Sequence, residues 1–200
     1  MIHTVIVPGV AGSEAQHWQT WLEKQMPACS RVQQKDWHHP VLHAWVEQFV
    51  ATVKPLDEIQ IVAHSFGCLT TLAALHMFPE LNAKIKNVVL VAPANPARFG
   101  DNGFARDSQN HYAEFFHSLV PQAPTTMLIS ENDPWLAFDD AKRLAKAWQL
   151  KPTNLGQVGH INVASGFGPF PQIFDYLISE SMMSPINMTD DGKYFLKFAI

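Results

Sequence analysis

One nine-residue run, Ile59-Gln60-Ile61-Val62-Ala63-His64-Ser65-Phe66-Gly67, constrains this chain more than any other. It opens as an apolar, β-branched strand and ends in a small-X-Ser-X-small pentapeptide. Beyond it Leu69, Leu72, Ala73 and Met77 share one helical stripe, which Pro79 stops. A sharp strand-to-helix turn of this kind is a nucleophile elbow. It lifts a serine hydroxyl out of the fold, where a base and oxyanion donors reach it. The positions two before and two after the serine must be small because strand and helix nearly touch there, and Ala63 and Gly67 occupy them. The plainer reading of the same residues is a buried serine in an ordinary strand-to-helix turn.

The flanking sequence repeats the strand-then-helix alternation. Val5-Ile6-Val7 reads as a buried strand closed by Pro8-Gly9, and a small-residue loop leads to a helix over about 14–26. A short strand is expected over 31–34. The loop Asp36-Trp37-His38-His39-Pro40 then precedes a helix with Val41, Leu42, Trp45, Phe49 and Val50 on its apolar side. Residues 88–92 are continuously apolar, as in a parallel strand covered on both faces. A strand over 126–130, a helix over 137–148, a weak strand over 153–155 and a helix over 170–181 follow. The expected class is α/β, a mostly parallel sheet of about five or six strands with helices on both faces. With 200 residues and 47% apolar content the chain suits one domain, assigned to 1–183, with 184–200 as an extension of no assigned role.

Charge and cysteine usage exclude several partners. The net charge is −4 with lysines and arginines scattered, so no basic stripe invites nucleic acid. The apolar runs fall short of the roughly 20 residues that cross a bilayer. Cys29 and Cys68 lie far apart without metal-ligand spacing, and Met1-Ile2-His3-Thr4 runs straight into a strand; a reduced, cytoplasmic protein is expected. His17, His38, His39 and His43 tempt a zinc assignment, but no cysteine or carboxylate completes a ligand pattern, so solvated or capping histidines are expected. Gly9 and Gly12 do not make a phosphate loop, because Ser13 is followed by Glu14.

Two further residues complete the chemistry of Ser65. Asp133 follows the 126–130 strand, at the carboxyl edge where ligands gather in open α/β sheets. Asp-Pro also suits a turn or the cap of the next helix, and different lone pairs can serve both uses. His160 ends the glycine-bearing loop Gly156-Gln157-Val158-Gly159, so the order Ser65, Asp133, His160 is that of the α/β hydrolases. His64 adjoins Ser65, but alternation directs its side chain elsewhere. His76, His111 and His117 rank below His160. The amide of Val10 or Ala11 and that of Phe66 are candidate oxyanion donors. Trp18, Trp21 and Leu22 are expected in the core. Phe99, Phe104, Phe167 and Phe170, with Phe66, are candidates for an apolar acyl pocket. The long stretch from Pro93 to Pro124, with one short helix near Tyr112, is expected to form a lid or pocket wall. Within it Arg98 and Arg106 either meet an anionic substrate group or are simply exposed.

These residues resemble those of a known family, the small α/β-hydrolase-fold serine hydrolases of the retinoblastoma-binding-protein type, which has many bacterial members. The likeness is carried by Val7-Pro8-Gly9 followed by His17-Trp18-x-x-Trp21, by Asp36-Trp37 with Pro40 and Trp45, and by Ala63-His64-Ser65-Phe66-Gly67. Asp133-Pro134 and Gly159-His160-Ile161-Asn162 with Ser165-Gly166-x-Gly168 extend it, the last being the most specific. The resemblance implies a minimal hydrolase fold without a separate cap domain, with Ser65, Asp133 and His160 as triad. The expected activity is hydrolysis of a small-molecule carboxylic ester or related acyl compound through an acyl-enzyme, with no metal or organic cofactor. Two alternatives stand beside it: a silent or weakly active protein-binding module on the same fold, and an acyltransferase using the same acyl-enzyme. The apolar end Tyr194-Phe195-Leu196-Lys197-Phe198-Ala199-Ile200 does not match the family; it is expected to pack on the body, to pair at a sheet edge, or to meet a protein partner or a second copy.

Overall fold

Alternation along the central strands sorts the core into two layers. In the computed structural model, which describes residues 1–98 and 112–178, β3 (Ile59–His64) lies parallel between β1 (His3–Val7) and β4 (Ile85–Val91). The strands β2 (Cys29–Arg31), β5 (Thr125–Ile129) and β6 (Thr153–Asn154) complete an all-parallel sheet of six strands in the order β2-β1-β3-β4-β5-β6. Successive side chains point to opposite faces. Val5, Val7, Ile61, Ala63, Val88 and Leu90 therefore enter one apolar cluster, while Ile6, Val62, Val89 and Val91 enter the other.

Helices α2 (Leu42–Val53), α3 (Phe66–Met77), α4 (Tyr112–Ser118) and α5 (Phe138–Ala147) cover the first face. The second is covered by α1 (Trp18–Gln25) and a 3-10 turn over Pro171–Tyr176. Cover on both faces is why the central strands are continuously apolar over 61–63 and 88–91 rather than alternating. No separate cap domain stands on this sheet among the described residues. None of the helices described is long and apolar enough to cross a membrane.

Three element boundaries differ from expectation, each for a local reason. The first helix starts at Trp18 rather than near residue 14, because His17 has extended backbone and caps it, its side chain accepting from the Gln19 amide. The second strand is Cys29–Arg31 rather than 31–34, because its pairing with Thr4, Val5 and Ile6 ends at Arg31 and Val32 turns into the core. The helix expected from 170 is a 3-10 turn. Asn87 Nδ2 donates to the Tyr176 carbonyl at 2.7 Å, and Gln60 Oε1 accepts from the Ile178 amide at 2.9 Å, so the chain is drawn flat across the sheet. The expected extension at 184–200, along with Phe99, Phe104 and Arg106, lies outside the described residues.

Candidate active site

β3 delivers Ser65 in a conformation that only a tightly packed surround can hold. Its φ of 53° and ψ of −121° lie in a region that costs about 1–3 kcal/mol for a residue with a Cβ. The backbone compensates: Ser65 N–H donates to Val91 O at 3.1 Å, and Ser65 O accepts from Cys68 N–H at 3.0 Å and Ala94 N–H at 3.1 Å. Two glycines let the surround close in. A Cβ on Gly67 would stand 2.2 Å from Val7 O, and one on Gly9 2.8 Å from Ser65 Cβ. The crowding that demands a small residue after the serine thus comes from the end of β1.

Asp133 and His160 reach Ser65 from the ends of β5 and β6. His160 Nε2 lies 2.9 Å from Ser65 Oγ, and His160 Nδ1 lies 2.8 Å from Asp133 Oδ2. Asp133 does not cap a helix, since α5 opens at Ala137 without a side-chain cap. Its other oxygen instead accepts from the Trp135 amide at 2.8 Å, closing a turn that fixes the carboxylate. Both partners are nearly sealed, His160 at 6% and Asp133 at 8% exposure, so water competes little for the relay.

The loop bearing His160 is stapled to the one bearing Asp133 by residues the sequence reading missed. Gly159 N–H donates to Asn132 Oδ1 at 2.7 Å, and Val158 N–H to Ser130 Oγ at 3.1 Å. Trp18, expected only as core, also donates its indole N–H to Ile161 O at 2.8 Å. Beyond the histidine, Asn162 and Ser165 form a reciprocal capping box. Gly159, with φ 62°, is required there, because a Cβ would lie 2.6 Å from that of Ser165. No short pattern signals Ser130 or Asn132, which sit beside the acid and act through the backbone of another loop.

His64 points away from the Ser65 hydroxyl, as alternation requires, yet it belongs to the site. Its Nε2–H donates to the backbone carbonyl of His160 at 2.9 Å, and the two rings are 4.9 Å apart. The His17 ring packs against His64 as well, also at 4.9 Å and tilted by 60°. Both are held neutral. Burial pushes His64 well below its ordinary value, helped by His160 and His17. Burial, then Arg31 and His160, lower His17 to about 4. The four histidines considered for zinc are thus divided: His17 packs against His64, while His39 rests on Asp36 at 3.1 Å. Among the described residues no group of three or more His, Cys, Asp or Glu has an arrangement that could hold a metal ion.

A cavity of about 290 Å³ opens in front of Ser65. Its walls include Val10, Phe66, Ala94, Trp135, Val163 and Ala164. The phenylalanine expectations change accordingly. Phe170 is 4% exposed and packs edge-on against Trp18 and Phe167, so it is core, and Phe167 supports it from the same cluster. The small residues that actually line the cavity carry no motif of their own. Arg98 does reach it, with its guanidinium 4.5 Å from the centre of the Trp135 ring. Of the two candidate amides in the first loop, that of Ala11 donates to Trp37 O at 3.0 Å and is already engaged. Val10 is the amide that remains for the cavity.

A parallel sheet with a serine at a β3–α3 elbow, and an acid and a histidine on the loops after its last strands, defines an enzyme of the α/β-hydrolase class. The chain belongs to the serine hydrolase family, whose model matches residues 4–179. It is 25% identical over 183 residues to the hydrolase YdeN of Bacillus subtilis, covering 87% of this chain and 93% of that one. Among solved structures, a YdeN-like hydrolase from Pectobacterium atrosepticum superposes with a TM-score of 0.74 at 28% identity, covering 92% of this chain and 94% of that one. The Bacillus subtilis ydeN product gives a TM-score of 0.67 at 20% identity, over 88% and 96% of the two chains.

Proposed function

We propose that the chain hydrolyses small carboxylic esters or related acyl compounds through an acyl-enzyme on Ser65, with His160 as base and Asp133 as its orienting partner. The observation that carries this reading is the unbroken relay: 2.9 Å from Ser65 Oγ to His160 Nε2 and 2.8 Å from Nδ1 to Asp133. With Nδ1–H donated to the carboxylate, Nε2 presents a lone pair to the Ser65 hydroxyl, the tautomer a general base needs. The base takes the hydroxyl proton as Oγ attacks the substrate carbonyl, and Asp133 stabilises the imidazolium. The same proton goes to the leaving group, and water then reverses the sequence. The amides of Val10 and Phe66 are the proposed oxyanion donors, each worth roughly 100-fold or more in rate.

A cavity of about 290 Å³ with a mainly apolar wall favours short or medium acyl groups. We further place the chain among the retinoblastoma-binding-protein type of serine hydrolase, acting in the cytoplasm on a small molecule rather than on nucleic acid or membrane. We assign the catalytic domain to 1–183. Intact mass after a fluorophosphonate probe, with peptide mapping, tests the mechanism. One adduct is expected on Ser65, abolished in Ser65→Ala and His160→Ala; a folded wild type that takes no adduct from the probe or from a small acylating ester overturns the reading.

A further inference from the structure

We propose that the Nε2–H of His17 is a substrate-binding donor, which hydrogen-bonds an oxygen of the acyl compound held at Ser65. The inference rests on the acyl-hydrolase reading above and adds a substrate contact to it.

The tautomer follows from the cap. His17 Nδ1 accepts from the Gln19 amide at 3.1 Å, so in the neutral ring the proton is on Nε2. That N–H has no partner among the described residues, although His17 is only 5% exposed. It is not sealed either. The one fully enclosed side-chain nitrogen or oxygen lacking a partner among the described residues is Gln34 Oε1. His17 lines the cavity in front of Ser65; with Nδ1 turned to the cap, Nε2 on the far side of the ring is the atom assigned to that cavity. A nearly buried donor without an acceptor is unfavourable, and a ligand oxygen relieves it.

The surroundings keep this donor uncharged. The ring packs against both Trp18 and His64, at 5.5 and 4.9 Å, and both burial and the Arg31 guanidinium disfavour a second proton. The N-terminus of α1, which His17 caps, acts in the same sense. A neutral imidazole donor polarises a substrate oxygen without removing the proton that His160 must carry. The ligand this chemistry fits is a neutral ester or another oxygen-bearing acyl compound.

Two substitutions separate the donor from the cap. In His17→Asn the side-chain oxygen replaces Nδ1 as the cap, and the shorter amide leaves no donor at the Nε2 position. In His17→Gln the amide nitrogen reaches the position of Nε2, and the cap is lost. With 4-nitrophenyl butyrate, kcat/KM of H17N is expected to fall by about tenfold or more while Tm stays within about 2 °C. H17Q is expected to keep kcat/KM within about threefold and to melt lower. If H17N does not fold, H17Q is compared with His17→Ala, which has neither group; only H17Q should retain the rate. Activity that follows the cap, with H17N as fast as wild type or H17Q as slow as H17A, overturns the donor. Fluorophosphonate labelling of wild type separates the two failures: no labelling removes the acyl-hydrolase reading, whereas labelled wild type with an unimpaired H17N removes only the donor.

Discussion

Lowering the pH from 7 to 5 should weaken this fold through two buried histidines, His64 beside His160 and His17 against His64. Burial is the main cause in both, lowering His17 to about 4 and His64 well below its ordinary value. In the unfolded chain each titrates near 6.5. Between those values the unfolded chain binds a proton that the folded chain refuses. The stabilisation is therefore complete above the unfolded value and is lost as pH falls toward the folded one. For His17 alone, linkage gives a loss of about 2 kcal/mol from pH 7 to pH 5, a large part of the roughly 5–15 kcal/mol that holds a domain together. His64 adds a loss of the same sign. Urea unfolding at the two pH values, followed by the fluorescence of the buried Trp18, Trp45 and Trp148, measures the sum. H17N keeps the cap and removes the titration, so its loss should be smaller than that of wild type by about 2 kcal/mol. Equal losses in the two proteins would mean that His17 titrates alike folded and unfolded, and the burial argument would fail.

Gly67→Ala would place its Cβ 2.2 Å from one backbone carbonyl and 2.6 Å from another, neither able to yield, and should cost about 3 kcal/mol or more. A melting temperature unchanged from wild type would contradict the packing at the elbow. Arg31 donates to Gly12 O at 2.9 Å, Ser13 O at 3.0 Å and Thr20 Oγ1 at 2.7 Å, and so holds the loop that carries Val10. Arg31→Ala should lower kcat for an ester more than it changes KM and destabilise by about 2 kcal/mol, read by steady-state kinetics and thermal melting. Asp133→Asn should reduce kcat by about 10⁴ by releasing the His160 tautomer, with Ser65 labelling slowed to match.

The parts of this molecule that were readable in advance obey short-range rules. The β3 run, the elbow and the α3 stripe lie within about twenty residues of one another, where periodicity and steric size act directly. Ser65, Asp133 and His160 could be ordered because each follows a strand, and the carboxyl ends of parallel strands share one edge. What escaped were contacts made across layers. Asn132 and Ser130 bind the backbone of a loop some 27 residues away, and backbone acceptors leave no mark on sequence. Phe66 lines the cavity as expected, but Phe167 and Phe170 do not, because large aromatic residues suit both a core and a wall. Phe170 is drawn under Trp18, while alanines and valines join Phe66 and Trp135 at the cavity.

Backbone strain points to the same edge from another direction. Six described residues other than glycine have positive φ, and five of them, Ala11, Ser13, Ser65, Ala92 and Ile161, follow the ends of β1, β3, β4 and β6 around the cavity. Each such conformation costs of order 1–3 kcal/mol and persists only where neighbours over-determine it. Here the neighbours can be named. Arg31 grips the carbonyls of Gly12 and Ser13, and Gln19 accepts the Ser13 hydroxyl at 2.6 Å while donating to Val7 O and Val62 O. Trp18 holds Ile161, and Val91 holds Ser65. Gln19 and Trp18 both lie in the first turn of α1, directly after His17. The short helix after the first loop is therefore more than cover for the sheet. Its first turn braces the loop bearing Val10, the strand that ends at the elbow and the loop bearing His160, so damage to it should reach catalysis before it unfolds the sheet.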